Sequence, residues 1–156
     1  MEPSRNHGLN YDDYKLRNDW TFYEVYEALA YKKNDKMKMQ DYLDNINTVF
    51  TFNNLIDFTL FWNNTNIKAI TPLFTDPFKS LVRKIKSKEL KIGSIAMFKN
   101  KIKPLWEEKE NHHGGEYSIK LSGYSDLDAK KFAELWEKLI FTLVGDSSEL
   151  VNEVIC

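Results

Sequence analysis

The chain has 156 residues, 42% of them hydrophobic and 14% aromatic, enough to supply one domain with a packed core. A formal net charge of -1 argues against a protein that grips nucleic acid through its phosphates, which takes a basic excess, so any nucleic-acid ligand should be small or read through its bases. The apolar run Leu139-Ile140-Phe141 is far short of the ~20 residues of a membrane span, the start MEPSRNHGLNYDDY has no secretory h-region, and the single cysteine, Cys156, points to a reducing cytosolic or nuclear setting.

Residues 1–13 are polar and read as a disordered tail ahead of one domain over 14–156. From Asn18 to Tyr31 bulky side chains crowd both faces, with Trp20, Phe22 and Tyr26 on one and Tyr23, Val25 and Leu29 on the other, which predicts a strand buried on both sides. Lys32 to Lys36 is a turn or loop, and Tyr42 to Phe52 alternates weakly again. Asn53 or Asn54 can cap a helix to about Asn63 that carries Leu55, Phe58, Phe61 and Trp62 on one face. Thr75-Asp76-Pro77 starts a second expected helix over 78–91, with an apolar stripe through Phe78, Leu81, Val82, Ile85 and Leu90 and a basic remainder.

Ile92 to Phe98 is a strand, and Gly114-Gly115 predicts a hairpin into the alternating run Glu116 to Leu121. Ser125 with Asp128 is close to a capping box. The helix that follows is expected to bury Phe132, Leu135, Trp136, Leu139, Ile140 and Leu143, and Gly145 is a natural stop. The order of elements predicts an α+β fold, a curved antiparallel sheet with helices packed on one face.

The most specific segment is Phe98-Lys99-Asn100-Lys101-Ile102-Lys103-Pro104-Leu105-Trp106-Glu107-Glu108, with Asn111 and Gly114-Gly115 beyond it. It resembles the F-K-x-x-I-x-P-M-W-E-D…N…G-G signature of the translation initiation factor 4E family. Leu16 to Trp20 resembles that family's first strand, Tyr42 to Phe58 its first-aromatic region, and Trp136 to Gly145 its last-helix ending. The resemblance implies a non-enzymatic module, without a cofactor, that binds the 7-methylguanosine cap of mRNA and acts in translation initiation or its regulation.

Chemistry agrees with that implication. 7-Methylguanine spreads a positive charge over its ring, so an aromatic on either face gains stacking and cation–π attraction of roughly 1–3 kcal/mol each. A carboxylate at its edge matches the N1–H and N2–H donors. Tyr42 and Trp106 would be the faces and Glu107 the acceptor, with the backbone N–H of Glu107 or its neighbour addressing the guanine oxygen. Glu110, His112 and His113 are metal-ligating types, but adjacent histidines in a turn point apart and an exposed turn is the expectation.

The chain also departs from the family. It stops at Val154-Ile155-Cys156, where relatives continue into strands that hold the cap's phosphates, so the family's last strands are expected to be missing and phosphate number to matter little. An interaction module of this fold that has lost cap binding is the alternative. The family docks initiation factor 4G-like scaffolds or 4E-binding proteins as a helix in a groove. Here Leu55, Phe58 and Thr59 stand in the V-x-x-F-W region, with Thr59 in place of its tryptophan, and Glu137, Lys138 and Phe141 stand on the last helix, which implies weakened docking. Tyr42 precedes its strand and Trp106 follows its own, which puts both at one end of the sheet in this reading, and the basic helix at the other.

Overall fold

Strand β1 (Lys15–Tyr26) is the centre of the molecule, flanked by β2 (Ile46–Asn54) and β4 (Lys88–Lys99), with β3 (Val82–Ile85) outside β4 in the order β2-β1-β4-β3. The computed structural model describes residues 11–27, 43–68, 70–71, 82–85, 88–115, 118 and 125–145. All three pairings are antiparallel. β1 takes the middle because five consecutive residues, Trp20 to Glu24, are buried, so both of its faces are covered as the bulky pattern predicts. The register against β2 runs Phe22↔Phe50 and then Tyr23↔Thr48, which leaves Val49 as an extra residue and bends the strand there.

Two helices pack on the face that carries Trp20, Phe22 and Phe52. Helix α1 (Leu55–Asn64) starts where Asn54 accepts from the Ile56 N–H at 2.7 Å, the expected cap. It buries Phe58 and Trp62 against the sheet in one aromatic stack, with Phe52 to Phe58 at 5.2 Å and Phe58 to Trp62 at 5.7 Å between centroids. Helix α2 (Asp126–Gly145) starts behind Ser125, whose hydroxyl oxygen accepts from the Asp128 N–H at 3.2 Å while its O–H donates to the Asp128 carboxylate. α2 adds Ile140 and Val144 to the same core. These elements are the expected antiparallel sheet with helices on one face.

Four expectations change. Residues 11–13, expected in the tail, fall in a 3₁₀ turn, Tyr11–Tyr14; residues 1–10 lie outside the described set. No helix covers 82–85 or 88–91, where β3 and β4 form a hairpin with Val82 opposite Lys91 and Ile85 opposite Lys88. Val82 and Ile85 fit a strand as well as a helical stripe, and pairing with a neighbour settles the ambiguity. On α2, Leu139 is 49% exposed while Ala129 is buried, so the packed stripe is rotated toward Ala129, Ile140 and Val144.

The fourth concerns the ends of the sheet. β2 and β4 both run antiparallel to β1, so the start of β2 lies beside Tyr26 and the end of β4 beside Trp20. The two strand ends stand about 20 Å apart, at ~3.4 Å per residue along β1. The basic hairpin shares the Tyr26 end with the Leu43–Asn45 turn, whose Asn45 carbonyl accepts from the Tyr26 N–H. Strand order, which sequence pattern does not contain, decides this point.

Candidate functional site: the Trp106 loop

The chain leaves β4 at Lys99 through a turn in which Asn100 and Lys101 have φ of 51° and 62°. The Ile102 N–H donates back to the Lys99 carbonyl at 2.9 Å, so hydrogen bond and φ signs are those of a type I′ turn. Asparagine tolerates the left-handed region; lysine does so at a cost of about 1 kcal/mol. Three contacts hold the turn. The Asn100 N–H donates to the Asp19 carbonyl, and the Tyr23 hydroxyl donates to the Lys101 carbonyl at 3.0 Å. Lys99 meanwhile stacks its ammonium over the Trp20 ring, 5.8 Å from the centroid.

Beyond the turn, Leu105 is buried and anchors the loop, and Asn111 clasps it. The Asn111 side-chain amide donates to the carbonyls of Lys103, at 3.0 Å, and Leu105, at 2.7 Å. A 3₁₀ turn, Lys109–Asn111, closes the structure, with the Asn111 N–H donating to the Glu108 carbonyl. Between these fixed points Trp106 stands 66% exposed, and Glu107 beside it is exposed as well. A tryptophan held in water on a loop fixed at both sides is placed to stack against a ligand.

Tyr23 is 2% exposed, and its ring meets Phe98 edge-on at 6.4 Å. Burial pushes its phenol above the ordinary range, the Glu108 charge adds to the effect, and the Thr21 side chain acts against it. Between the loop and α2 lies a cavity of about 540 Å³ lined by Trp20, Met97, Leu105, Trp136, Ile140 and Leu143 among others, with Trp106 at its edge. Among the described residues that line it, none is charged.

Of the expected site residues, Trp106 and Glu107 are thus adjacent on one ordered loop, and Tyr42 lies outside the described residues. Glu110, His112 and His113 fall in the exposed or half-exposed closing turns, and no group of three metal-ligating side chains forms among the described residues. On the helix side, Leu55 and Phe141 are 41% and 48% exposed, and Thr59, Glu137 and Lys138 are exposed. Thr59 bonds its hydroxyl to the Leu55 carbonyl within α1. Phe58 is 1% exposed and packs edge-on against Phe141 at 5.5 Å, so it belongs to the core beneath this surface and not to the surface itself. Sequence pattern overlooked the roles of Tyr23 and Asn111; an asparagine among short turns was the one available signal.

The family model described as eukaryotic initiation factor 4E matches residues 15–156. The chain is 26% identical over 145 residues to eukaryotic translation initiation factor 4E of Aplysia californica, covering 90% of this chain and 52% of that protein. It is 26% identical over 151 residues to the Homo sapiens factor, covering 94% and 54%. It therefore spans about half the length of the curated relatives it matches. Among solved structures, Ascaris suum eIF4E-3 in complex with the m2,2,7G cap superimposes with a TM-score of 0.55 at 17% identity, over 87% of this chain and 59% of that one. Schistosome eIF4E complexed with m7GpppG and 4E-BP gives a TM-score of 0.52 at 21% identity, over 87% and 57%. C. elegans eIF4E-3 with the 4E-binding protein Mextli gives 0.53 at 18% identity, over 89% and 64%. These likenesses confirm the fold, and with the family match running from the first strand onward, the chain belongs to the eukaryotic initiation factor 4E family.

Proposed function

We propose that this chain binds the 7-methylguanosine cap of mRNA through the Trp106 loop and takes part in translation initiation or its regulation. The observation that carries the reading is Trp106 itself, 66% exposed on a loop whose neighbours Leu105 and Asn111 are fixed. Such a ring offers one face to a cationic base. The exposed carboxylate of Glu107, next in the chain, supplies the acceptor for the two edge donors of guanine. Tyr42 is proposed as the second face on sequence grounds, and it must close a span set by the opposite ends of β2 and β4. Solved relatives bound to m7G-type caps support the ligand class. No step of catalysis is involved.

Retention on immobilised 7-methylguanosine, with elution by methylated but not unmethylated guanosine monophosphate, tests this reading. Elution by both nucleotides equally, or no retention, would sink it and leave the alternative of an interaction module.

A second reading concerns partners. Leu55, Leu60 and Phe141 are each more than two-fifths exposed on the outer side of α1 and α2. We propose that this side docks a helical segment of a 4G-like scaffold or a 4E-binding protein, weakly, because Thr59 offers no aromatic anchor and turns its hydroxyl inward to Leu55. Relatives of this fold are known in complex with 4E-BP and Mextli. A fluorescent Tyr-x-x-x-x-Leu peptide should bind Thr59→Trp more tightly than the parent chain; equal affinity would count against this surface.

A further inference from the structure

We infer that Tyr23 is a positioning residue of the Trp106 loop, acting from the face of the sheet opposite the helices and jointly with Asn111. The inference rests on the cap-binding reading for its functional consequence, and on geometry alone for its structural one.

A loop that offers one aromatic face to a ligand is useful only if that face is already in place, because ordering it on binding would subtract from affinity. The Trp106 loop has an unfavourable start, with two consecutive non-glycine residues in the left-handed region. Something outside the turn must hold it there. Tyr23 is buried, fixed edge-on against Phe98, and its hydroxyl reaches the carbonyl of Lys101, the second of the two left-handed residues. It thus pins the arm that leads into the loop. Asn111 pins the next stretch, at the Lys103 and Leu105 carbonyls on either side of Pro104.

A single phenol in β1 therefore touches the loop's entrance, five residues before Trp106, while Asn111 holds the stretch leading up to that ring. Neither contact is made by a residue that would touch the base. In β1 the neighbouring buried residues cannot substitute, because Phe22 packs in the core beneath the helices and Glu24 is bonded to Arg83 and Tyr26.

The test uses the full chain labelled with 5-fluorotryptophan, which gives one fluorine resonance for each of its four tryptophans. Trp106→Phe identifies the Trp106 signal. In Tyr23→Phe, which removes only the hydroxyl, the Trp106 signal should move and broaden while that of core-bound Trp62 holds. Affinity for 7-methylguanosine triphosphate should fall about fivefold, the effect of one neutral hydrogen bond. Asn111→Ala should move the same signal and weaken binding about tenfold or more, since two carbonyls lose their donor. Circular dichroism on both variants confirms that the fold is kept.

An unmoved Trp106 signal in both variants would overturn the inference, and so would a moved signal with unchanged affinity. If the parent chain itself fails to bind the nucleotide, the proposed function falls, and the fluorine signal alone then decides whether Tyr23 and Asn111 hold the loop.

Discussion

The two ends of the β1–β4 pairing, at Trp20 and at Tyr26, are held by different chemistry. At the Trp20 end, neutral donors on Tyr23, Asn100 and Asn111 fix backbone carbonyls, and the result is a shaped loop with an exposed ring. At the Tyr26 end a charge is buried. Glu24, 2% exposed, accepts from both Nε and Nη2 of Arg83, which crosses β4 from the edge strand, and from the Tyr26 hydroxyl at 3.2 Å. The first arrangement bonds neutral groups to backbone carbonyls, with the Lys99 ammonium and the exposed Glu107 carboxylate beside it. The second ties a hairpin to the sheet but depends on keeping a carboxylate paired where water does not reach. Function is expected at the first end and stability at the second.

The largest effect should come from separating these roles. Trp106→Ala should weaken binding of 7-methylguanosine triphosphate at least a hundredfold, about 3 kcal/mol at the upper range of aromatic stacking. Its stability should change by less than about 0.5 kcal/mol, because the ring is mostly in water. Titration calorimetry beside a urea melt reads both. Near-normal affinity would remove Trp106 from the site.

Arg83→Met is the mirror experiment. The Glu24 carboxylate would keep only the Tyr26 hydroxyl, and the loss should be about 2 kcal/mol of stability, with cap retention unchanged. Lower retention in this variant would show that the two ends are coupled through β1. A melt within a degree of the parent's would mean that Arg83, half exposed, lets water replace it.

Sequence pattern revealed the loop end far better than the hairpin end, and the reason is physical. Phe98 to Trp106 is a contiguous motif whose turn, proline and buried leucine can be read along the chain, although Tyr23, which holds the turn from β1, cannot. The cap of α1 at Asn54 and the two-sided burial of β1 are likewise local, and both are found as expected. Val82 to Leu90 satisfies a helical stripe equally well, and only pairing with β4, together with Arg83 reaching Glu24 across it, selects the strand. Glu24 in the middle of an apolar run was a readable sign that a distant cation must exist; nothing local said which. Leu139 escaped for a related reason, since a wide apolar stripe does not say which edge meets the sheet. That β2 and β4 run parallel to each other, which separates the first-aromatic region from Trp106, needs strand order and is not written in any single segment.

A smaller effect, with the opposite sign, tests the strain in the turn. Lys101→Gly should raise stability by about 1 kcal/mol, because glycine adopts a φ of 62° without a Cβ clash and keeps the carbonyl that Tyr23 binds. Part of that gain is offset by the freer unfolded chain. Urea midpoints of the two proteins decide it. A loss would mean that the Lys101 side chain contributes more than its backbone costs, which would also make the loop end less neutral than described.

The smallest effect belongs to the Tyr26 end under alkali. Burial, the Glu24 charge and the bond donated to Glu24 hold the Tyr26 phenol above its ordinary value, against a weaker opposing effect of Arg83. Burial does the same to Tyr23. The folded chain therefore keeps protons that the unfolded chain releases near pH ~10. That contribution is fully present below the unfolded value and is lost as pH rises through the folded one, so stability should decline above pH ~10 and stay level with respect to these groups from pH 7 to 9. Tyr26→Phe should cost about 0.5–1 kcal/mol at pH 8, where one donor to Glu24 disappears, and should make the alkaline decline shallower. Tyr23→Phe should shallow the decline as well, but with the Glu24 pair untouched. Urea midpoints between pH 8 and 11 separate the two phenols: if neither substitution alters the slope, the alkaline loss arises from lysines, and the buried phenols of Tyr23 and Tyr26 titrate as they would in water.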